Sequence, residues 1–421
     1  MKKLIYSLLF CSVLFSCKKS TDATINLSEF TEIEVSTTND FNKNYVLKAN
    51  ISPNPNATIS EYGFVYSYLH PVFDEMFNDS LKTLYTYNGS LSQAQNFEDT
   101  IYNLGLAVDY AIKTYAINDG RITFGKEIKV SPTGANIEKI NSPSFTNGAV
   151  NAFALSNDST AIIGGGKDNN LYSTFDGNTQ QFSEPADTLP VDFANESCAT
   201  FTLGNYGYVV GGSKNNVASS QVYRYEFATK TWLKMNNFAG GARIAAVAAV
   251  ANGKAYVGFG TNLSNNLADF WEYNESNDTW TQININNAEI NGRNSSSCFV
   301  LGDNIYIVGG NTSSALSSVV YTNNFWQYNT KEGKWNVLPK CPFTSGNCFS
   351  FTYKNEALIG FGVINKKSNL IVGYSESNKK WFGYYDGNNG DLQSGEKAYS
   401  LIVNNKYMVA NFYKNEILRI R

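Results

Sequence analysis

The sequence predicts an all-β chain in two parts, a small sandwich near the N-terminus and a longer array of repeated sheets behind it. Three observations carry this. Aromatics make up 14% of the 421 residues, with 27 Tyr and 27 Phe, while Pro is scarce at 9. That profile suits strands and polar turns rather than helix or disorder. Second, DFWEYNESNDTW at Asp269–Trp280 recurs as NFWQYNTKEGKW at Asn324–Trp335 and more loosely as VYRYEFATKTW at Val222–Trp232. Third, each copy follows a glycine pair that ends an apolar β-type run. At 421 residues one ordinary domain is too small to hold the chain.

The N-terminus reads as an export signal. Lys2 and Lys3 precede an apolar run, Leu4–Phe15, that is too short to span a bilayer. The run ends Leu14-Phe15-Ser16-Cys17, which resembles a bacterial lipobox, with Phe15 bulkier than the residue usual there. The resemblance implies a lipoprotein signal peptide over 1–16, lipid attachment at Cys17 and a polar tether over 17–27. An ordinary secretory leader cleaved nearby is the alternative. With the lipid, the chain is expected to be exported and anchored to the bacterial outer membrane or cell envelope without a spanning helix.

Residues 28–132 alternate strands and turns. Tyr45–Ile51 has period two, Ser52-Pro53-Asn54-Pro55-Asn56 is a turn cluster, and Tyr62–Tyr68 and Tyr110–Ile117 are further strands. Asn118-Asp119-Gly120 then turns the chain into Ile122–Val130. This spacing suggests a β-sandwich. EYGFVYS followed by DYAIKTYAINDGRITFGKEIKV resembles a fibronectin type III (immunoglobulin-like) module, which implies a spacer or binding role and no shared chemistry. Residues 69–97 read as a long insertion, and His70 beside Pro71 reads as a loop residue. Ser131-Pro132-Thr133-Gly134 marks the boundary with 133–421.

The second part is periodic. Gly166, Gly212, Gly260, Gly310 and Gly362 end equivalent strands, with Phe412 in the sixth copy, at steps of 46 to 52 residues. Trp232, Trp280, Trp335 and Trp381 follow in order, and Phe182 stands in the first copy. Fourteen residues before each aligned position lie Ala152, Cys198, Ala246, Ser296, Cys348 and Ala398. All six are small, as innermost strands crowded around an axis require. A period near 50 with a glycine pair and a later Trp resembles the kelch repeat. The resemblance implies a six-bladed kelch β-propeller, since each four-stranded blade buries its faces only against its neighbours. The sixth copy ends after three strands, so its outer strand is expected from Ile137–Ile140, closing the ring near 136–141 and removing open edges. Five blades with an open edge is the alternative.

Few residues point to chemistry. The chain has one His and a formal charge of −3, with no basic run to suit nucleic acid. No cofactor and no metal ligand spacing is evident; the turn Asp386-Gly387-Asn388-Asn389-Gly390-Asp391 lacks the closing Glu of a calcium loop. Of Cys198, Cys298, Cys341 and Cys348, Cys198 and Cys348 hold the small inner-strand position and are expected as buried thiols, with a Cys341–Cys348 disulfide open in an exported protein. The loops after the glycines and those leading into the inner strands share one face. Arg243 and Arg293, each seventeen residues before its glycine, sit there. They are the ligand-binding candidates, lining a polar mouth for a carboxylate or sugar; the alternative is that each bonds loop carbonyls and ties blades together. Trp271 and Trp326 belong to packing rather than to sugar stacking.

The expected function is a monomeric, non-catalytic binding or scaffold module for a protein or glycan outside the cytoplasm. Some kelch propellers resemble sialic-acid epimerases or copper radical oxidases. The oxidase needs histidine ligands, and residues 133–421 contain no His. A carbohydrate-active enzyme of the epimerase type stays open, with Glu196 and Glu396 as the first carboxylates to test. A purely structural envelope protein is the third class, and fold analogy does not choose among them.

Overall fold

The structure, a computed structural model, describes residues 29–37, 45–53, 58–68, 83–101, 109–118, 120–130 and 137–140. It also describes 151–420 apart from 168, 195, 314–318, 354–355, 366–369, 378, 387–397 and 412–415. The signal peptide, Cys17, the tether, His70, the linker at 131–134, residues 387–391 of the acidic turn and Glu396 lie outside the described residues. Among those described, every helix or strand is a β-strand. The chain divides into two compact units, Met1–Thr133 and Gly134–Arg421.

The first unit holds two antiparallel sheets. Tyr45–Ser52 is central to one. Its alternation buries Tyr45, Leu47, Ala49 and Ile51 on one face. It pairs with Glu29–Phe30 and Glu34–Thr37 along one edge and with Gln95–Ile101 along the other. In the second sheet Ile59–Tyr68 pairs with Thr83–Tyr85 and Tyr110–Asn118, and the latter with Arg121–Phe124 and Ile128–Val130. Phe97 of the first sheet packs on Phe64 and Tyr62 of the second, at ring separations of 4.8 and 5.1 Å. Burial of each such ring is worth about 1.5–3 kcal/mol. The expected insertion over 69–97 is in part regular: Thr83–Tyr85 and Gln95–Ile101 are strands. In the latter only Phe97 and Ile101 are buried, so alternation is too sparse to read from sequence.

Among its described residues the second unit holds six antiparallel sheets of four or five strands, together with two two-stranded ribbons, Ser213–Lys214 with Val217–Ala218 and Ser345–Gly346 with Val363–Ile364. The first has Phe153–Ser156, Thr160–Gly164, Leu171–Asp176 and Gln181–Phe182, with Asp187–Thr188 added on the third strand. The second has Ala199–Leu203, Tyr206–Val210, Val222–Glu226 and Thr231–Lys234, and the third Val247–Ala251, Lys254–Gly258, Phe270–Asn274 and Thr279–Ile283. The fourth has Ser297–Leu301, Asn304–Val308, Phe325–Asn329 and Lys334–Leu338, and the fifth Phe349–Tyr353, Glu356–Gly360, Leu370–Ser375 and Lys380–Asp386. The sixth takes Tyr399–Val403, Lys406–Asn411 and Glu416–Ile420 from the C-terminus and Ile137–Ile140 from the start of the unit. First strands contact one another in order, and the sixth returns to the first.

Aromatic and aliphatic side chains fill each gap between neighbouring sheets. Trp232 of the second sheet lies 5.9 Å from Phe153 and 6.1 Å from Tyr172 of the first. Trp335 meets Phe270 at 5.1 Å and Trp381 meets Phe325 at 5.2 Å, each one sheet back. Leu401, Met408 and Ile417 of the sixth sheet share a core with Ala154, Ile163 and Phe175 of the first. Two tyrosines add polar ties between sheets: Tyr208 Oη donates to Glu275 Oε1 at 2.7 Å and Tyr306 Oη to Glu376 Oε2 at 2.5 Å. Burial first, and the neighbouring carboxylate second, pushes both phenols up. Around the axis, Thr202 Oγ1 donates to Ser156 O at 2.7 Å and Thr352 Oγ1 to Val300 O at 2.6 Å, stitching neighbouring first strands.

Candidate functional site

The glycine pairs and the segments leading into the inner strands form a shared framework. Gly211 and Gly212 have φ of 67° and 96°, and Gly309 and Gly310 have 64° and 96°. A Cβ on Gly212 would lie 2.5 Å from Cys198 Sγ, so both conformation and space demand glycine. Its N–H donates to Arg243 O of the next copy at 2.8 Å; Gly260 does the same to Arg293 O at 2.8 Å and Gly310 to Ser345 O at 2.7 Å. One residue before each small inner position, the backbone turns left-handed: Asn151, Ser197, Ala245, Ser295 and Asn347 have φ between 51° and 58°. Their amides form a chain across the sheets. Ser197 N donates to Asn151 O at 2.8 Å, Ala245 N to Ser197 O at 2.9 Å, Ser295 N to Ala245 O at 3.0 Å and Asn347 N to Ser295 O at 2.9 Å. Ala398 N continues it to Asn347 O at 3.3 Å.

Arg243 and Arg293 are each only 1% exposed. The expected exposed mouth is therefore not lined by their guanidinium groups. Arg243 Nη1 and Nη2 reach Asp269 Oδ1 and Oδ2 at 2.6 and 2.8 Å, a bidentate pair. Nη1 also donates to Phe259 O at 3.0 Å, Nη2 donates to Gly240 O, and the group lies 4.6 Å above the Phe238 ring. Asp269 is held further by Trp271 Nε1 at 2.8 Å. Arg293 differs. Its Nη1 donates to Gly309 O and its Nη2 to Asn291 Oδ1, both at 2.8 Å, and it stacks 3.5 Å above Trp326. Burial pushes its pKa down to about 9, so it remains a cation at neutral pH. Because each arginine carbonyl also receives the previous sheet's glycine amide, both residues fasten the loop between two sheets.

An open cleft of about 520 Å³ lies among the loops of the first two sheets. Leu189, Pro190 and Phe193 give it an apolar base, and Lys167, Lys214 and Glu196 give it charge. Asn169, Asn170, Asn215 and Asn216 supply amides. Its walls are fastened. Leu189 N donates to Asn170 O at 2.8 Å, and Glu196 and Ser213 exchange main-chain bonds of 3.1 and 2.8 Å. Asp192 accepts from Tyr223 Oη, Lys234 Nζ and Gln221 Nε2, the last at 3.2 Å. The Lys234 and Tyr223 bonds hold its carboxyl down at about 2. Asn215 and Asn216, at φ of 51° and 60°, make the tight turn of the hairpin pairing Ser213–Lys214 with Val217–Ala218. Glu196 is thus in a cleft with two ammonium groups, while Glu396 lies outside the described residues.

Cys198, Cys298, Cys341 and Cys348 are all free thiols. Burial pushes Cys298 and Cys348 up to about 12, so neither is a nucleophile at neutral pH. Trp326 is fully buried, and Trp271 is committed to Asp269. No group of three or more His, Cys, Asp or Glu among the described residues is placed to hold a metal ion. The carboxylate of Asp192, the left-handed residues and the two cleft lysines were missed in the sequence. The left-handed residues do keep the repeat spacing, and four of the five are Asn or Ser in the same place before a small residue.

None of the curated proteins matches the chain. A solved structure described as "Structure of YjhT" is similar in fold, with a TM-score of 0.53 and 15% identity over 66% of this chain and 94% of that chain. The model of one family, described as the KLHDC2/KLHL20/DRC7 Kelch-repeats domain, matches residues 150–362, just over half of the chain. The glycine pairs, the following aromatic segments and four of the stacked sheets fall within that match, and the chain belongs to this kelch-repeat family.

Proposed function

We propose that the six sheets are the blades of a closed kelch propeller, preceded by a fibronectin type III-like sandwich, and that the chain is a lipid-anchored cell-envelope protein. In this reading it is a non-catalytic binding or scaffold module that recognises a protein or glycan outside the cytoplasm through its loop face. Arg243 and Arg293 serve that face by holding its loops, and Cys17 carries the anchor. The observation that carries the reading is the cleft of the first two sheets: a pocket of the size that binds small ligands, with an apolar base, charged and amide groups at its rim, and walls fixed by main-chain bonds. Screening of the full chain on glycan and protein-fragment arrays tests it, with Lys167→Glu in the cleft and Glu332→Lys on the opposite turns. Saturable binding lost only with Lys167→Glu is expected; binding that ignores the cleft change defeats the reading.

One observation favours a second reading, a carbohydrate-active enzyme of the epimerase type. Glu196 shares the cleft with Lys167 and Lys214, a carboxylate and two ammonium groups of the kind used for proton transfer. Glu196→Gln decides it: turnover of an acidic sugar that disappears in this variant, with binding retained, is the result this reading requires.

A further inference from the structure

We infer that the outward face of the second sheet in the first unit binds a neutral carbohydrate, at a site separate from the loop face and independent of the reading above. The two sheets of that unit differ in what they turn to solvent. Antiparallel sheets ordinarily bury one face and set polar side chains on the other. The first sheet does so: outward, Lys48 pairs with Glu98 at 2.8 Å and Asn50 Nδ2 donates to Asn96 Oδ1 at 2.9 Å. The second sheet does not. Tyr62, Phe64 and Ile112 point into the core, so the residues alternating with them face out.

Register sets these outward residues in three rows. Tyr115 stands between Gly63 and Phe124, and Gly63 is followed by Tyr87, one step from the Tyr62–Asn88 bridge. Val65 lies beside Tyr85 in the next row, and Glu61, Ile117 and Ile122 make the third. Tyr87 is 64% exposed and Phe124 44%, an apolar patch of the kind that marks a binding surface. Tyr115 is its fixed floor. Its Oη reaches Glu61 Oε1 at 2.8 Å and Thr86 O at 2.9 Å, and its ring meets Tyr85 edge-on at 6.4 Å. A Cβ on Gly63 would lie 2.5 Å from the same Thr86 O, so the aromatic row keeps a notch between Tyr87 and Tyr115. The hollow lined by Val65, Tyr85, Tyr115 and Phe124 takes only about 20 Å³, so a ligand lies across this face rather than within it.

Size and chemistry choose the ligand. Four strands about 4.8 Å apart, and the length from Glu61 to Val65, give roughly 200 Å². That is well short of the roughly 800 Å² that each partner of a stable protein complex contributes. An aromatic face is negative and attracts weakly positive C–H groups. A carboxylate has room for several donors, so Glu61 accepts more than the Tyr115 hydroxyl. A saccharide offers both features, a C–H face ringed by hydroxyl donors. A neutral one fits best, because Glu61 repels anions and the neighbouring Lys113 is already paired with Glu127 at 3.0 Å.

The test is affinity electrophoresis of the full chain through gels holding xylan, laminarin, mannan or hydroxyethylcellulose, with a glycan array alongside. At least one neutral polysaccharide should retard the chain. Its affinity should fall at least tenfold in Tyr87→Ala and in Phe124→Ala, stay within about threefold in Tyr87→Phe, and hold as salt is raised. Both altered rings are exposed, so melting temperatures should match the parent's, and Lys167→Glu in the loop-face cleft should change nothing. Retardation that survives in Tyr87→Ala/Phe124→Ala overturns the inference. Saccharide binding lost only in Lys167→Glu overturns it while supporting the loop-face reading. A chain that binds no saccharide overturns it too, as does self-association in sedimentation that Tyr87→Ala abolishes, which would give the face to a second copy.

Discussion

Asp269→Asn is the perturbation whose size the structure best defines. Asp269 receives both terminal nitrogens of Arg243, whose side chain has no exposed surface, and the indole N–H of Trp271. Removing one partner of a buried ion pair destabilises by about 3–5 kcal/mol because the remaining charge stays buried. Two features reduce this. Asp269 is 20% exposed, and Asn keeps one of the two acceptor oxygens. Arg243 also retains the carbonyls of Phe259 and Gly240. A loss of about 2–3 kcal/mol follows, and at roughly 2–4 °C per kcal/mol for a large domain the melting temperature should fall by about 4–12 °C. The chain contains its own comparison. Asn324 occupies the aligned position in the next copy, and Arg293 there has no carboxylate partner among the described residues but stacks on Trp326. Asn324→Asp should therefore stabilise, by about 1 kcal/mol, because the counter-charge is offered to a cation already held in place. Thermal melts of the two single variants read both signs. Melting of Asp269→Asn within about 1 °C of the parent would refute the assignment of the pair as a main fastening of the loop face.

Other outcomes follow from the same geometry. Ala245 is left-handed at φ 51° without being glycine, so Ala245→Gly should be neutral or stabilise by up to about 1 kcal/mol, measured by denaturant unfolding; the same change at Ala249, inside a strand, should destabilise by about 0.5–1 kcal/mol. Tyr208→Phe removes a bond to Glu275 between two sheets and should cost about 1–2 kcal/mol, with Tyr208→Phe/Glu275→Gln less than additive in a double-mutant cycle. Tyr208, Tyr225, Tyr256, Tyr273 and Tyr306 are all pushed up, chiefly by burial. The folded state holds these protons more tightly than the unfolded one, so their stabilisation is complete below about pH 10 and is lost as pH rises beyond it. An alkaline titration of unfolding that stays flat to pH 12 would contradict that.

The periodic part of the fold was legible because its physics repeats. A glycine pair is needed wherever φ is positive and the next copy's carbonyl approaches, and Gly212 and Gly310 show both requirements. The small residues at Ala152, Cys198 and Ala246 follow from crowding at the axis. The sequence placed a closing strand near 136–141, and Ile137–Ile140 pairs with Ile417–Ile420. The site was less legible. Arg243 and Arg293 read equally as ligand groups or ties, because the sequence cannot show that Phe238 and Trp326 cover them. Lys167, Lys214 and Glu196 lie in three separate segments with no motif joining them; only the stacking of the first two sheets brings them together. Gln95–Ile101 was hidden for a simpler reason, since only two of its side chains are buried.

The central claim is that the loop face of the propeller is where this protein meets its partner. A photo-reactive amino acid placed at Asn216, on the cleft, and separately at Glu332, on the turn between third and fourth strands of the fourth sheet, tests it in the cells that make the protein. The account predicts one discrete adduct from position 216, suppressed by Lys167→Glu, and none from position 332. Adducts that form equally at both positions, or at 332 alone, would contradict it.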